Sequence, residues 1–454
     1  MPAAPRADDR RRGSRSDVSR DPRHVGRGPR PPRRQWLLPL TFSVLAALVL
    51  ASGALAAVRV LGTPPPPRLD LRVPATLAAA PGSAPAIPLP ATGSFALEST
   101  AQGRLAAVAP TTVLPIGSIA KVMTALVVLQ HQPLIGDAPG PTYTITYQDV
   151  DFYYQMVDAD GSSLSVASGE QFTERQLLLA LLLPSADNIA ETLAVWVAGS
   201  QSAFVTDLNT EAQALGMTQT SFADVSGLSP QTVSTAADLV KLGQVALANP
   251  TLAALVATQS AVMPDGSSIQ NLDTDLTTAP GWLGIKTGST PQAGGCLLFA
   301  AHHPGPLGGS REVTVVGAVL GVVTADGDLG EELAGALNAA AAAVKAAFGA
   351  YRTVNLGTLA LPVPVLSGAL RSAWGTSTPL QAIFKSGTSS VEFKVGATLR
   401  LSAKVIPIHD ATTVGAGTLV ARVTARLGGI TVATWEVSAT GSLGQPGWQW
   451  LLTH

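Results

Sequence analysis

A serine precedes a lysine by three positions in the stretch Pro115-Ile116-Gly117-Ser118-Ile119-Ala120-Lys121, just before an apolar helical pattern. Three residues make about one helical turn, so we expect both side chains on one face of the helix. A neutral Lys121 could then remove the hydroxyl proton of Ser118, and the helix N-terminus would favour the negative charge that develops there. The pair alone proves little, since an N-cap serine followed by an exposed lysine gives the same spacing.

Two further polar stretches follow along the chain. The first lies between two apolar helical patterns and reads Leu182-Leu183-Pro184-Ser185-Ala186-Asp187-Asn188. The second lies in a predicted strand and reads Ile285-Lys286-Thr287-Gly288-Ser289. In that strand Gly288 would let a ligand approach the backbone, and Lys286 would hold a carboxylate. The order of the three stretches is typical of the Ser-x-x-Lys, Ser-Asp-Asn and Lys-Thr-Gly set of penicillin-binding proteins and β-lactamases.

Around these stretches the apolar periodicity predicts helices between strands. Helices are expected near 119–130, 174–183, 186–197, 201–215, 236–247 and 329–348, and strands near 94–109, 282–287, 295–301 and 312–322. Strands at both ends with helices between them indicate one sheet built from the two extremities of the region, not alternating βαβ units. Short β-type runs after residue 351, such as 418–424 and 430–437, predict a further small β-rich domain.

The region from about residue 94 to 350 resembles the low-molecular-mass D-alanyl-D-alanine carboxypeptidases, which are penicillin-binding serine peptidases of the S11 type. The resemblance extends beyond the three stretches to Gly161-Ser162-Ser163, Gly169-Glu170, Leu215-Gly216-Met217, Thr220-Ser221-Phe222, Gly227-Leu228 and Thr235-Ala236-Ala237-Asp238-Leu239. It implies an α/β (α+β) fold, with an antiparallel sheet flanked by helices as in β-lactamases and D,D-peptidases. The small C-terminal β-rich domain resembles the family's tail domain more loosely.

The same resemblance implies a mechanism. Ser118 would attack the carbonyl of the penultimate D-Ala with Lys121 as general base, and Ser185 would relay a proton to the leaving D-Ala. The backbone amides of Ser118 and Ser289 would form the oxyanion hole. Lys286 and Thr287 would bind the terminal carboxylate of a peptidoglycan stem peptide, and β-lactam antibiotics would act as inhibitors. No cofactor is expected.

The middle stretch departs from the family, which usually has Ser-x-Asn. Here Asp187 stands where the asparagine is expected, and Asn188 follows one place later. Either Asp187 lines the pocket, or the loop shifts so that Asn188 does. Because a carboxylate cannot donate a hydrogen bond to a substrate carbonyl, the substrate preference depends on which is correct. We expect Asp187 in the pocket, since it keeps the family's spacing from Ser185.

The N-terminal region predicts a membrane anchor. Residues 1–34 carry eleven Arg and four Asp with few large apolar residues, which predicts a disordered cytoplasmic tail. The apolar segment 36–60 is long enough to span a bilayer, and the preceding Arg33 and Arg34 place the rest of the chain outside. A cleaved signal peptide is the alternative, with Ala54-Leu55-Ala56 as its cleavage site, but the length of the run favours a retained single-pass anchor.

The remaining domain boundaries follow from composition. A Pro- and Ala-rich linker is expected over 61–92, a catalytic domain over 93–351 and the β-rich domain over 352–454. The catalytic domain is thus expected to lie outside the cytoplasm, attached to the cell membrane.

Other classes of function lack support in the sequence. The six His are scattered without a His-Glu-x-x-His motif, which argues against a metal site, and no nucleic-acid-binding module is evident. A β-lactamase would usually carry Glu-x-x-Leu-Asn between the second and third stretches, and none occurs there. A D,D-endopeptidase remains an alternative. So does a cell-wall-binding protein that has lost turnover, for which Asp187 is the only indication.

Overall fold

The computed structural model describes residues 37–100, 102–303, 313–356, 367–387, 390–409 and 414–454. Among these described residues, those within 66–444 form one compact unit, and residues 37–65 group with 445–454 in another.

The described helices are α1 (Leu37–Leu61), α2 (Ala120–His131), α3 (Tyr147–Asp158), α4 (Glu174–Leu182), α5 (Asp187–Ala198), α6 (Gln201–Ala214), α7 (Ala236–Ala248), α8 (Pro250–Val256), α9 (Asp275–Thr278), α10 (Leu329–Phe348) and α11 (Trp448–Thr453). The described strands are β1 (Arg68–Arg72), β2 (Thr76–Ala78), β3 (Ser94–Ser99), β4 (Gly103–Val108), β5 (Leu114–Pro115), β6 (Thr142–Thr144), β7 (Gln171–Thr173), β8 (Val233–Ser234), β9 (Ser260–Val262), β10 (Ser268–Gln270), β11 (Trp282–Thr290), β12 (Gly294–His302), β13 (Thr314–Val322), β14 (Tyr351–Asn355), β15 (Ser367–Arg371), β16 (Ser377–Gly387), β17 (Ser390–Lys394), β18 (Thr398–Val405), β19 (Leu419–Leu427) and β20 (Ile430–Ala439).

The main sheet joins the two ends of the catalytic region. Its order is β11-β12-β13-β3-β4, and every neighbouring pair is antiparallel. The early hairpin β3–β4 therefore pairs with the late strand β13, with Leu97 opposite Gly317. The prediction of one sheet built from both extremities is confirmed.

Alternation along the strands divides the core into two layers. On one face Leu97, Leu297 and Phe299 pack against the small residues Ala336 and Ala340 of α10. The residues between them, such as Leu298 and Ala300, face a larger cluster with α2, α4, α5 and α7. Because successive strand residues point to opposite faces, a sheet covered on both sides needs strands that are apolar throughout, as β12 is.

Two strands lie within the segment 61–92, which the composition predicts to be a linker. Residues 68–72 (β1) pair with β15, and residues 76–78 (β2) pair with β18, so the two strands form the edges of a seven-stranded sheet in the order β1-β15-β16-β20-β19-β18-β2. The sequence Arg68-Leu69-Asp70-Leu71-Arg72 does alternate, with both Leu half-buried. The prolines on either side suit edge strands, because an edge strand leaves one side of its backbone unpaired.

The first helix has the properties of a membrane span. Residues Leu40–Leu61 have a mean hydropathy of 2.3 and none of this segment is buried within the protein. A helix of 22 residues is about 33 Å long, which is enough to cross the hydrocarbon core.

The edge strands lead to a prediction about truncated chains. A chain that begins at Gly62 keeps β1 and β2 and should be soluble and monomeric without detergent. A chain that begins at Ser94 loses both strands and exposes two sheet edges, so we expect a lower melting temperature and a tendency to aggregate. Thermal melts and light scattering measure both effects. Equal melting temperatures for the two chains would mean that β1 and β2 add nothing to the seven-stranded sheet.

Candidate active site

Ser118 lies in a single 3₁₀ turn, Gly117–Ile119, that leads into α2. Lys121 sits in the first turn of α2 and is fully buried. Its Nζ lies 2.8 Å from Ser118 Oγ. The three-residue spacing in the sequence thus becomes a hydrogen bond between the two side chains.

Two further oxygens surround the Lys121 amine. Asp187 Oδ1 lies 2.6 Å from Nζ, and the backbone oxygen of Ser226 lies 3.0 Å from it. An ammonium group has three hydrogens, and Ser118, Asp187 and Ser226 supply one acceptor for each. The ion pair with Asp187 is almost completely shielded from solvent. A buried charge needs such complete pairing, because it loses its hydration.

The middle stretch directs its two polar residues to different places. Asp187 is the first residue of α5 and faces Lys121, while its backbone N–H donates to Ser162 O at 2.7 Å. The side chain of Asn188 instead pairs with both backbone groups of Leu164, each at 2.9 Å. Asn188 therefore fastens Leu164 to α5 through both its amide oxygen and its amide nitrogen.

Ser185 has an unusual backbone and an unsatisfied side chain. Its φ is +68°, a left-handed conformation that is rare for a residue with a Cβ. Its Oγ is buried and has no hydrogen-bond partner within the described part of the chain. Strain and an unused buried hydroxyl are features that concentrate at functional sites.

Strand β11 runs against the turn that carries Ser118. A Cβ on Gly288 would lie 2.9 Å from Ile116 O and 3.0 Å from Ser118 N, so only glycine permits this approach. A Cβ on Gly117 would in turn lie 3.2 Å from Ser289 N. The backbone nitrogens of Ser118 and Ser289 thus belong to neighbouring segments.

Lys286 and Thr287, which precede Gly288 in β11, are buried as well. Thr287 and Lys286 are only 3% and 2% exposed. Burial, together with the like charge of Lys121, lowers the pKa of Lys286 to about 7, although Asp187 and Asp273 oppose this shift. A lysine with this pKa changes its charge near neutral pH and would gain a proton on meeting an anion.

The sequence did not identify Asp224, which stabilises the loop that brings Ser226 to Lys121. Its Oδ2 accepts the backbone N–H groups of Gly227, Leu228 and Ser229 at 2.9–3.2 Å. These bonds fix the loop whose Ser226 oxygen contacts Lys121. The sequence does place an Asp three residues before Gly227-Leu228. Because Asp commonly accepts hydrogen bonds from the backbone amides that follow it, this spacing could have indicated an ordered turn.

Glu191 is the second group that the sequence did not identify. It lies one turn after Asp187 on α5, and burial raises its pKa to about 7, with smaller contributions from Asp224 and Asp187. The Glu191 carboxyl therefore stays partly neutral at neutral pH, which limits the negative charge around Lys121.

Within the residues that the structure describes, no group of three or more His, Cys, Asp or Glu side chains could hold a metal ion.

The fold and the Ser–Lys pair define a class, the serine hydrolases that use a lysine beside the nucleophile. A family model described as D-alanyl-D-alanine carboxypeptidase (peptidase S11) matches residues 85–317. The chain belongs to this family. It is therefore a serine-type D,D-peptidase.

Several relatives are similar to this chain. The D-alanyl-D-alanine carboxypeptidase of Streptomyces sp. strain K15 is 33% identical over 291 residues, which cover 61% of this chain and 90% of the relative. The D-alanyl-D-alanine endopeptidase of Escherichia coli K12 is 32% identical over 196 residues, which cover 42% of this chain and 60% of that protein. The crystal structure of the Streptomyces K15 DD-transpeptidase has 29% identity and a TM-score of 0.49, over 58% of this chain and 98% of that one.

The different contacts of Asp187 and Asn188 predict different effects of substitution. Asp187→Asn replaces the carboxylate that lies 2.6 Å from Lys121 Nζ with a neutral amide, so Lys121 is no longer held in an ion pair, acylation near neutral pH should increase and the pH–rate profile should change. Stopped-flow acylation by a chromogenic β-lactam measures both quantities.

Asn188→Ala is the matched comparison on the next residue. It leaves two buried backbone groups of Leu164 unpaired and should lower the free energy of unfolding by about 1–3 kcal/mol. The pH profile of acylation should keep its position. The assignment is wrong if Asn188→Ala moves the profile and Asp187→Asn does not.

Proposed function

We propose that the chain is a D-Ala-D-Ala carboxypeptidase that acts on peptidoglycan stem peptides through an acyl-enzyme on Ser118. The observation that carries the proposal is the contact chain from Ser118 Oγ through Lys121 Nζ to Asp187. For acylation, Lys121 in its neutral form takes the Ser118 proton as Oγ attacks the carbonyl carbon of the penultimate D-Ala. Backbone N–H groups of Ser118 and Ser289 stabilise the oxyanion.

The stretch with Ser185 acts on the leaving group, and the stretch with Lys286 and Thr287 binds the substrate carboxylate. The proton that Lys121 took from Ser118 passes through the unsatisfied buried hydroxyl of Ser185 to the departing D-Ala amine, so that both Lys121 and Ser185 return to their starting forms. Lys286 and Thr287 bind the terminal carboxylate, beside the backbone of Gly288. Water then attacks the acyl-enzyme, and Ser118 recovers its proton. Asp187, in place of the usual asparagine, is the counter-charge of Lys121 and moderates the rate of this cycle.

A D,D-endopeptidase is the second candidate. Relatives from Escherichia coli, Pseudomonas aeruginosa and Haemophilus influenzae that match this chain at 32–37% identity are named endopeptidases. Both activities cleave after D-Ala, and they differ in what leaves. A carboxypeptidase releases free D-Ala, whereas an endopeptidase separates two cross-linked stems.

We also propose that α1 anchors the enzyme in the cell membrane with the catalytic region outside. The support is the apolar length of α1 and the Arg excess before it. An extracytoplasmic enzyme would meet its cell-wall substrate directly.

The acyl-enzyme proposal predicts covalent labelling by a fluorescent penicillin. Wild-type protein should carry the label through denaturing electrophoresis, and Ser118→Ala should carry none, because the only proposed acyl acceptor is missing. Ser163→Ala is a control on a nearby serine and should label normally. Persistent labelling of Ser118→Ala would contradict the mechanism.

The pKa of Lys286 predicts a falling limb in kcat/KM. Lys286 binds the substrate carboxylate only as the ammonium form, which the free enzyme loses as the pH rises through about 7. A carboxylate-terminated peptide should therefore lose kcat/KM above pH 7, mainly through KM, because bound carboxylate raises the pKa of Lys286 again.

Lys286→Arg is the informative variant for this limb. Its guanidinium stays charged, so kcat/KM should no longer fall between pH 7 and 9. Parallel pH profiles with a peptide provide the measurement. An identical falling limb in Lys286→Arg and wild type would assign the titration to another group.

A further inference from the structure

Helix α3 has an exposed face with an unusual composition. Tyr147 is 80% exposed and Tyr154 is 59% exposed. Seven residues are close to two helical turns, so the two rings lie on the same side of the helix. The residues on or beside that stripe are Tyr147, Gln148, Asp151, Tyr154, Gln155 and Asp158, all exposed. We call this set the α3 tyrosine face.

The α3 tyrosine face is held rigidly. Thr146 and Asp149 form a capping box that fixes the start of α3, and the Asp149 carboxylate also accepts the Tyr143 hydroxyl at 2.9 Å. The ring of Tyr154 lies 5.3 Å from that of Tyr153, which packs against the main core. The exposed rings are therefore presented on a preorganised support, which lowers the entropic cost of binding.

The end of α3 leads directly to the catalytic residues. Gly161 N donates to Met156 O at 2.8 Å, so the chain turns back at the end of the helix. A Cβ on Gly161 would lie 3.0 Å from Asp187 Oδ2, and Ser162 O accepts the Asp187 N–H. The segment after α3 is thus one contact away from the Lys121 ion pair, and α3 is joined to the active site through its C-terminal end.

The chemistry of the face suits a neutral polysaccharide. Flat aromatic rings stack on the apolar faces of sugar rings, while carboxylates and amides accept and donate hydrogen bonds to sugar hydroxyls. The two tyrosines stand about 10 Å apart along the helix, roughly the length of a disaccharide. Asp151 and Asp158 would repel an anionic polymer, whereas a neutral glycan carries no charge to oppose them.

We propose that the α3 tyrosine face binds the glycan strand to which the stem peptide is attached. This inference rests on the proposed function, since the strand must carry the peptide that enters the Ser118 site. The surface would raise the local concentration of stem peptides on polymeric substrate and would leave the chemistry on a free peptide unchanged.

The test compares polymeric and soluble substrates. The double variant Tyr147→Ala/Tyr154→Ala should bind isolated peptide-free glycan strands, with the lactyl carboxylates that peptide removal exposes converted to neutral amides, about tenfold more weakly than wild type, and D-Ala release from intact sacculi should fall similarly at limiting substrate. Its penicillin labelling and its kcat/KM on a short soluble peptide should stay within twofold. Tyr147→Phe/Tyr154→Phe keeps the rings and should retain most of the binding.

The outcomes separate this inference from the proposed function. Ile135→Ala removes another highly exposed apolar side chain and serves as the matched control, with no expected change. Unchanged glycan binding in the Ala double variant, or an equal loss on the soluble peptide, overturns the glycan site. A loss of binding to sacculi but not to peptide-free glycan overturns it as well, and assigns the surface to the stem peptide. Failure of wild type to react with penicillin overturns the proposed function instead.

Discussion

The buried amine of Lys121 is the constraint on which the rest of the active site depends. A charge removed from water must be matched by acceptors at hydrogen-bond distance. Those acceptors come from three separate segments, namely the 3₁₀ turn before α2, the start of α5 and the loop that Asp224 organises. The one group therefore requires that α2, α5 and the 224–229 loop converge. The main sheet then brings β11 against the same turn through Gly288.

The sequence predicted the main features of this arrangement because they are local. Helix α10 matches its predicted limits, and α4 through α7 differ by a residue or two, since apolar periodicity and capping residues such as Thr173 and Thr235 mark their ends. The Ser-x-x-Lys spacing alone implies that Ser118 and Lys121 share a helix face. The pairing of early and late strands followed from the order of the elements.

The remaining features arise from contacts between segments distant in sequence. Nothing near Asp187 or Asn188 shows which one faces Lys121, because the answer depends on where Leu164 offers its backbone. Asp224 acts on Lys121 only through the fold of its own loop. Strands β1 and β2 looked like linker because their partners, β15 and β18, lie some 300 residues later. Helix α3 was not predicted, since its apolar stripe is narrow and two of its aromatic residues, Tyr147 and Tyr154, face outward.

Asp187 stands where the family usually has an asparagine, and it makes turnover the central question because it gives Lys121 a buried counter-charge at 2.6 Å. In this account the pair moderates the rate and leaves the catalytic cycle intact. The most direct measurement is the steady-state release of D-Ala from a soluble peptide ending in D-Ala-D-Ala. The account predicts many equivalents of D-Ala per enzyme molecule. Release that stops at one equivalent or less, with penicillin binding retained, would contradict it and would describe a cell-wall-binding protein without turnover.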